Sequence, residues 1–559
     1  MPEQDRTTTD SQRNAAVWRA SLFGLPFTAR VRRPSCVLLA LTLGASLLQC
    51  LSPLWQRQLL DMVNSRQARL ALIALAVVAA MQLAVFAISM AERWLYGVLR
   101  VRLTQIMKQD VFRHLLQLPE DFLRSRGAGY FFNRVQADIS EVLVFVYYGA
   151  IGLWGTALSL CLSLFLLWRL EWRCAVLVLP FLLLQVVVCL CFRQRQYRLS
   201  KQIQENVATE RYVMQDFLSQ HSMLKTHVAS QEAGSRIEDG QKHWGNLVQT
   251  RLKNENWFRF WLQLPIWLCR GVVAVIGICL VSRGQDTLGN VWAILLLLSQ
   301  VFAPARMISD LFVRGQASRA AWTRLKQLLL EATEDEPRNC QEPVPDRLQG
   351  DVVLSALRFN FGDRELLKDV NLHVPQGTLC FIVGKNGSGK STLLSLLLRL
   401  YSPLSGSITI GGRAVKDFPL AAYRSRIGYV GQQPSFLCGT VRDNLLLGNP
   451  RKCSDEEIWT VLRRLDSETV VSQRSGALSA TVAEGGSNFS GGEKLRLTLA
   501  RELLRDTDVL LLDEPAAALD PQSRQVFYRL LQKLPGSLTV LAVVHDLPEE
   551  TNCQVFSLD

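Results

Sequence analysis

The sequence contains no C-x-x-C pair, although it has 13 cysteines among its 559 residues. Most of these cysteines lie in or beside apolar stretches, as Cys36, Cys161, Cys189 and Cys279 do. Their placement argues against a zinc or disulfide framework and is typical of small buried hydrophobic residues. A cleavable signal peptide is also not evident, because the first apolar stretch begins late and is too long for one.

Charged residues are nearly absent from six long segments in the first part of the chain. The segments run over 35–55, 70–90, 142–168, 174–192, 260–282 and 287–305, and Arg270 is the one charge inside them. Each is about 20 residues long, which is the length that crosses a bilayer. Buried helices of soluble proteins rarely stay uncharged for so long. The sequence therefore predicts an all-α transmembrane domain with six spans, within residues 35–330.

The remaining composition is consistent with a membrane protein of at least two domains. Apolar residues make up 49% of the chain, and its mean hydropathy is +0.13. The net charge of +13 could indicate nucleic acid, but no aromatic-basic surface accompanies it, so anionic lipid headgroups are the better partner. Residues 1–34 predict a cytoplasmic segment with an interfacial elbow helix. Long connections at 93–140 and 193–256 predict helices that extend beyond the membrane.

A glycine-rich run lies between a predicted strand and a predicted helix in the second half of the chain. It has the pattern GxxxxGK[ST], known as Walker A, and follows the apolar residues 378–383 directly. Its glycines let backbone N–H groups turn toward phosphates, its lysine adds positive charge, and its serine hydroxyl can ligate Mg²⁺. The predicted phosphate ligands are Gly384, Lys385, Asn386, Gly387, Ser388, Gly389, Lys390, Ser391 and Thr392.

Two carboxylates follow the apolar residues 509–512, and a histidine follows the next apolar strand. Asp513 at a strand end can hold Mg²⁺, and Glu514 can polarise an attacking water. Without the phosphate loop, such a pair would be better interpreted as a helix cap or a surface turn. With it, Glu514, Lys390 and His545 are the predicted catalytic residues, and His545 is expected to contact the γ-phosphate.

These motifs resemble the ATP-binding cassette (ABC) transporters of the exporter type, over nearly the whole chain. Phe489-Ser-Gly-Gly-Glu493 matches the family's signature motif, which is usually LSGGQ. The resemblance implies that the signature residues contact ATP held by a second cassette, and that further residues complete the nucleotide and metal sites. The implied nucleotide contacts are Phe361 (stacking on adenine), Gln432, Ser490, Gly491, Gly492, Glu493 and Asp520, and the implied metal ligands are Ser391, Gln432 and Asp513; Glu484 is the implied contact to the spanning domain.

The resemblance also implies the domain order and the activity. The spanning domain at 35–330 would be joined by a linker at 331–349 to an α/β P-loop nucleotide-binding domain at 350–559. Hydrolysis of ATP with Mg²⁺ would drive alternating access in a multi-pass protein of the inner (plasma) membrane, with the cassette in the cytoplasm. Coupling would pass through short stubs near Asp121–Gly129 and Ala208–Phe217. A complete catalytic set predicts a homodimer, and an unequal heterodimer is the alternative.

Departures from the family pattern are few. Phe361 replaces the commoner tyrosine, Glu493 the commoner glutamine, and Ala516-Ala517 the commoner Thr-Ser. None removes a phosphate or metal contact. The sequence continues only a short way beyond His545, so we expect the helices that usually follow the last strand to be missing, which would affect dimer stability.

The cargo is less defined by the sequence. Arg270 inside a span predicts either a cavity-lining contact to an anionic or carbonyl-rich substrate, or a structural role, by pairing with an acid such as Asp310 or by snorkelling to the membrane surface. The spans also contain polar side chains, which suit a peptide-like or amphiphilic cargo but equally suit hydrogen bonds between helices. They are Gln49, Gln82, Gln185, Gln263 and Gln300. A lipid flippase or multidrug exporter is the alternative, and an ATP-gated regulator is a weaker one.

Overall fold

The structure is a computed structural model that describes residues 28–145, 149, 151–334, 347–362, 364–517, 519–534, 536–547 and 553–558. The chain divides into two compact units. The first comprises Met1–Leu116 and Ala128–Glu331, and the second comprises Gln117–Gly127 and Ala332–Asp559. The elbow helix predicted in residues 1–34 falls mainly on residues 1–27, which lie outside the described part of the chain.

The described chain before residue 331 is almost entirely helical, and most of its helices are long. They are α1 (Thr28–Asn64), α2 (Ala68–Leu115), α3 (Glu120–Asn133), α4 (Ile139–Val144), α5 (Gly152–Leu170), α6 (Trp172–Ser219), α7 (His221–Thr226), α8 (Ser230–Ser282) and α9 (Leu288–Leu330). A π-helical turn, Arg134–Asp138, joins α3 to α4. The longest helix, α8, has 53 residues and measures about 80 Å at 1.5 Å per residue, far more than the ~30 Å hydrocarbon core of a bilayer.

Among the described residues, five helices are long and apolar enough to cross a membrane. They are Arg33–Asn64 within α1, and α2, α5, α6 and α8. The sixth predicted span corresponds to Leu288–Pro304 at the start of α9, which is a shorter apolar segment. Of the third predicted span, 142–168, the structure describes the end of α4, the π-helical residues Phe145, Gly149 and Ile151, and α5 from Gly152; the other residues of the span lie outside the described part of the chain.

The spanning helices are held together by apolar packing and by hydrogen bonds from side-chain amides. Leu167, Cys174, Cys269 and Leu298 belong to one buried cluster contributed by α5, α6, α8 and α9. Amide groups bond across helices, since the bilayer offers them no water. The bonds are Gln300 Nε2 to Gln49 O (2.7 Å), Gln82 Nε2 to Ser52 Oγ (2.9 Å) and Gln185 Nε2 to Phe302 O (3.4 Å). For these three glutamines, hydrogen bonding between helices is the interpretation that the contacts favour.

Of the two expected stubs, the one near 121–129 falls on the short helix α3, whereas the one near 208–217 does not form a separate short helix. In the first connection, α3 is kinked at Gly127, where φ is 69°. The segment Gln117–Gly127 groups with the second unit, and Gln117 O accepts a 2.8 Å hydrogen bond from Glu334 N there. In the second connection, residues 208–217 lie inside α6, and the short helix is α7.

The second unit contains a five-stranded parallel sheet beside an antiparallel sheet. The strands are β1 (Val352–Phe361), β2 (Arg364–Val374), β3 (Leu379–Val383), β4 (Ser405–Ile410), β5 (Arg413–Ala414), β6 (Ile427–Val430), β7 (Gly439–Thr440), β8 (Thr481–Val482), β9 (Val509–Asp513), β10 (Thr539–Val543) and β11 (Gln554–Ser557). The parallel sheet has the order β11-β3-β10-β9-β6, the antiparallel sheet has β2-β1-β4-β5, and β7 pairs with β8.

Helices α10 to α16 complete this unit. They are α10 (Lys390–Leu397), α11 (Leu420–Ser425), α12 (Val441–Leu445), α13 (Asp455–Arg464), α14 (Glu468–Ser472), α15 (Gly491–Leu504) and α16 (Pro521–Gln532). Side chains alternate across the parallel sheet: Leu510 and Leu512 of β9 enter one core cluster, whereas Val509 and Leu511 enter the other. Both faces of the sheet are therefore covered, as expected of a parallel sheet.

Substituting Gly155 of α5 by valine is expected to destabilise the spanning domain by about 1–3 kcal/mol. A Cβ at Gly155 would lie 2.5 Å from Thr42 Cγ2 of α1. Thr42 cannot easily turn away, because its Oγ1 lies 3.0 Å from Leu38 O and 2.8 Å from a Glu92 carboxylate oxygen. The thermal midpoint of the purified protein in detergent measures the effect.

Gly97→Val is the matched control, because a Cβ at this α2 position would meet nothing within 4 Å. Equal midpoints for the two variants would contradict the close packing of α5 against α1.

Candidate nucleotide-binding and hydrolysis site

The glycine-rich loop follows β3 and ends where α10 begins. Gly389 precedes the helix with a left-handed φ of 100°, a conformation that favours glycine. At Gly384 a Cβ would lie 2.2 Å from Leu558 O, so the backbone there passes another strand too closely for any side chain. The loop thus delivers its backbone N–H groups to the N-terminal end of α10, where the helix dipole favours an anion.

Lys390 and Ser388 give this loop unused hydrogen-bonding capacity. Lys390 is 5% exposed, and its Nζ donates to Gly384 O at 2.7 Å and to Lys385 O at 3.0 Å. An ammonium has three donors, and two of them have backbone carbonyls as partners among the described residues. Ser388 Oγ is buried and has no hydrogen-bond partner among the described residues. Because buried polar groups are normally paired, both side chains fit a phosphate that binds in the loop.

Asp513 ends β9 and faces the loop. Its Oδ1 accepts a 2.9 Å hydrogen bond from Ser391 Oγ, and its side chain is buried. Burial raises the pKa of Asp513 above its ordinary value, and the charge of Glu514 raises it further, whereas the hydroxyls of Ser391 and Tyr429 and the charge of Lys390 oppose the change. A divalent cation would offset the cost of this buried charge, so the Ser391–Asp513 pair fits Mg²⁺.

Glu514 lies immediately beyond β9 and contacts Gln432, which the sequence analysis names as a nucleotide contact and metal ligand. Gln432 Nε2 donates to Glu514 Oε2 at 2.9 Å. The backbone of Glu514 has a φ of 47°, in the left-handed region, and its N–H donates to Val543 O of β10. A non-glycine residue in this region costs of order 1 kcal/mol or more, and such strain is often found at active sites. The strand end therefore holds the carboxylate of Glu514 beside an amide.

His545 follows β10, and its ring is exposed. Its Nδ1 lies 3.3 Å from Asp546 Oδ1, and 67% of its side chain is open to solvent. The sheet places it beyond the same end of the strands as Asp513, since β10 pairs in parallel with β9. Its predicted contact with the γ-phosphate stays a prediction.

The signature turn, which we define as Ser490–Glu493, begins α15. Ser490 Oγ accepts from Glu493 N at 3.3 Å, and the Glu493 carboxylate accepts from Ser490 N at 2.8 Å, which forms a reciprocal capping box. Gly491 and Gly492 are the first residues of the helix. Among the described residues, the side-chain bonds of Ser490 and Glu493 stay within the turn or reach Arg474 and do not reach the glycine-rich loop.

Three other predicted residues lie around this centre. Phe361 at the end of β1 is 59% exposed and packs edge-on against Tyr401, with ring centroids 6.1 Å apart. Asp520 is the N-cap of α16 and accepts hydrogen bonds from Gln522 N and Ser523 N. Its carboxylate thus has a structural role before any nucleotide is considered. Glu484 starts a short 3₁₀ turn, Glu484–Gly486, and is exposed.

Tyr429 is a residue of this site that the sequence analysis missed. It lies on β6 opposite Leu511 of β9, and burial raises its pKa to about 12, with the neighbouring Asp513 carboxylate adding to the shift. Gly431 leaves space for its ring, because a Cβ there would lie 3.2 Å from Tyr429 Cε1. The pairing of β6 with β9, which brings Tyr429 toward Asp513, could not be derived from local pattern.

Comparison with known proteins agrees with this geometry. The family model described as ABC transporter matches residues 367–517, and the model described as ABC transporter transmembrane region matches residues 35–305. The chain is 25% identical, over 84% of its length, to 80% of a protein named "Multidrug resistance ABC transporter ATP-binding and permease protein" of Lactococcus lactis subsp. cremoris (strain MG1363). The same name, identity and coverage hold for a protein of Lactococcus lactis subsp. lactis (strain IL1403).

A solved structure shares the fold. It is described as "Structure of a bacterial Atm1-family ABC exporter with ATP bound", with a TM-score of 0.82 and 19% sequence identity over 95% of this chain and 94% of that chain. The two family models together cover most of the chain, in the order in which the two kinds of structure occur along it. The chain therefore belongs to the ABC transporters, with the transmembrane region and the ATP-binding domain fused in one polypeptide.

Proposed function

We propose that two copies of this chain form an exporter in which ATP hydrolysis drives alternating access of the spanning helices. Each ATP would bind between the glycine-rich loop of one copy and the signature turn of the other. The observation that carries this proposal is the buried hydroxyl of Ser388, which has no hydrogen-bond partner among the described residues, in the same loop as the buried ammonium of Lys390, whose hydrogen bonds there go to two backbone carbonyls. A polyphosphate supplies the missing charge and acceptors.

The chain's own residues suit hydrolysis. Glu514 would accept a proton from the attacking water, and Gln432 would orient its carboxylate through the 2.9 Å hydrogen bond. Ser391, Asp513 and Gln432 would hold Mg²⁺, which neutralises phosphate charge when bound. Lys390 would stabilise the charge on the phosphate that is transferred to water. We infer an ATPase whose cassette lies in the cytoplasm and whose first unit crosses the inner membrane several times.

A peptide-like or amphiphilic cargo is the substrate class that we propose. Arg270 supports it: its Nε is buried on α8 and lacks a hydrogen-bond partner among the described residues. The side chain of Asp310, the alternative partner, lies outside the described residues. An unpaired guanidinium N–H inside a span suits a carbonyl or carboxylate of the cargo. The names of the two Lactococcus proteins favour a multidrug exporter as the second candidate.

Replacing Glu514 by glutamine is expected to lower ATP turnover by about 10²–10⁴-fold, the usual contribution of a general base. Binding of ATP should persist, because Lys390 and Ser388 are unchanged. Vanadate-sensitive ATPase activity and ATP binding are measured on the protein in lipid vesicles. Glu456→Gln, an exposed change in the first turn of α13, is the control. Full turnover in the Glu514 variant would refute its role, and no turnover in the unmodified protein would refute the proposed function.

Asp513→Asn should remove most of the gain in ATP affinity that Mg²⁺ provides. The amide keeps a hydrogen bond to Ser391 but loses the charge that a divalent cation requires. ATP affinity is measured by equilibrium binding in Mg²⁺ and in excess EDTA, for this variant and for the unmodified protein. An unchanged difference between the two conditions would show that Asp513 does not hold the metal.

Arg270→Ala is expected to abolish stimulation of ATP turnover by cargo while basal turnover stays the same. Candidate peptides and lipids are compared in vesicles, with uptake into inside-out vesicles as the second measurement. Arg259→Ala on the same helix is the control, because Arg259 pairs with Glu255 at 2.5 Å and is exposed. Equal stimulation of the Arg270 variant and the unmodified protein would exclude Arg270 from the cargo path.

A further inference from the structure

Two of the unusual residues of the signature motif contact the same arginine, which no motif includes. Glu493 stands where the family usually has glutamine, and Phe489 where it usually has leucine. The Arg474 guanidinium carbon lies 3.7 Å above the centroid of the Phe489 ring, and Arg474 Nη2 lies 3.5 Å from Glu493 Oε2. Arg474 therefore contacts both residues that differ from the usual motif, Phe489 through a cation–π contact and Glu493 through an ion pair.

We propose that Arg474 is a positioning residue of the signature turn, which neutralises Glu493 and fixes Phe489 so that the turn can receive ATP held by a second copy of this chain. This inference rests on the proposed function, because only a dimer brings the turn to a nucleotide. It goes further by assigning a role to a residue that neither the family's motifs nor the catalytic set contains.

The position of Arg474 is itself held by the surrounding backbone. Its Nη2 donates to Asn488 O at 2.9 Å, and its Nε donates to Val470 O at 3.2 Å. Asn488 is fixed in turn, because its Nδ2 donates to Thr481 O of β8. The Phe489 ring stacks on Phe436, with centroids 6.1 Å apart and planes inclined by 16°. Arg474 therefore joins α14 to the residues that directly precede the turn.

The negative charge of Glu493 is the reason that a cation such as Arg474 is needed beside it. The Glu493 carboxylate accepts the Ser490 N–H at 2.8 Å, so its negative charge lies against the first residue of the turn. A glutamine there would cap the helix without repelling a triphosphate, whereas a glutamate repels it. About a quarter of each side chain is exposed, 27% for Arg474 and 26% for Glu493, so water screens this repulsion only in part. Pairing with Arg474 removes the repulsion and retains the cap.

The test is a double-mutant cycle between Arg474→Met and Glu493→Gln in the full chain, reconstituted in lipid vesicles. Arg474→Met should weaken the apparent affinity for ATP in turnover by about tenfold, because Glu493 is then unpaired. Glu493→Gln removes the charge and keeps the cap, so the loss caused by Arg474→Met should be much smaller when it is measured in the Glu493→Gln background. The double variant should recover most of the affinity. The loss in Arg474→Met should also shrink at high salt, as screening predicts.

A purely structural arginine would behave differently. If Arg474 served only to bind the Asn488 carbonyl and the Phe489 ring, the Glu493→Gln change would not rescue it and salt would not alter its loss. Arg413→Met is the matched control, because Arg413 also stacks on a phenylalanine, Phe418, at 4.4 Å, and also donates to a backbone carbonyl, that of Asp417. It should leave the affinity for ATP unchanged. Thermal midpoints of all variants show whether each one folds.

Different results would overturn the proposed function and the proposed role of Arg474. Absence of ATP turnover in the unmodified protein would overturn the proposed function. Normal turnover in the unmodified protein together with an Arg474→Met variant of unchanged affinity, or with a double variant as weak as the single one, would overturn the role of Arg474 alone.

Discussion

The parallel sheet of the second unit fixes where its chemistry takes place. Because β3, β6, β9 and β10 run in the same direction, the residues after each strand meet at one edge. The glycine-rich loop follows β3, Gln432 follows β6, and Asp513 and Glu514 close β9. The Ser391–Asp513 hydrogen bond crosses this edge over β10, which lies between the two strands. Without the shared strand direction, neither the phosphate loop nor the carboxylates would form a site.

The residues at this edge of the sheet could be predicted from the sequence because the patterns that identify them are local. Glycines, lysine and serine at fixed spacing define the phosphate loop, and an apolar strand before two acids defines Asp513 and Glu514. Contacts between distant segments were not predictable in the same way. Tyr429 approaches Asp513 only because β6 pairs with β9, and Arg474 reaches Glu493 only because the chain returns through β8.

The sequence also indicated a nucleotide contact for Asp520, whereas the structure shows its carboxylate capping a helix. An aspartate before Pro521 satisfies the free N–H groups of Gln522 and Ser523 at the start of α16. A cap of this kind needs no nucleotide. The left-handed backbone of Glu514, with a φ of 47°, is shared by Ala356 and Asp506 among the described residues, so it does not by itself mark a catalytic residue. The hydrogen bond from Gln432, rather than the backbone conformation, supports the role proposed for Glu514.

The buried polar groups of the phosphate loop suggest how binding is linked to motion. Among the described residues, the buried hydroxyl of Ser388 has no hydrogen-bond partner and so carries a desolvation cost, and the buried ammonium of Lys390 is hydrogen-bonded to two backbone carbonyls. In the proposed dimer, a triphosphate bound to one copy would offset this cost, and the signature turn of the second copy would add donors to the same phosphate. A ligand shifts an equilibrium only by its differential affinity for two states, and a phosphate shared in this way would favour the closed dimer. Neutralisation of Glu493 by Arg474 belongs to the same balance, since repulsion at the turn would reduce that difference.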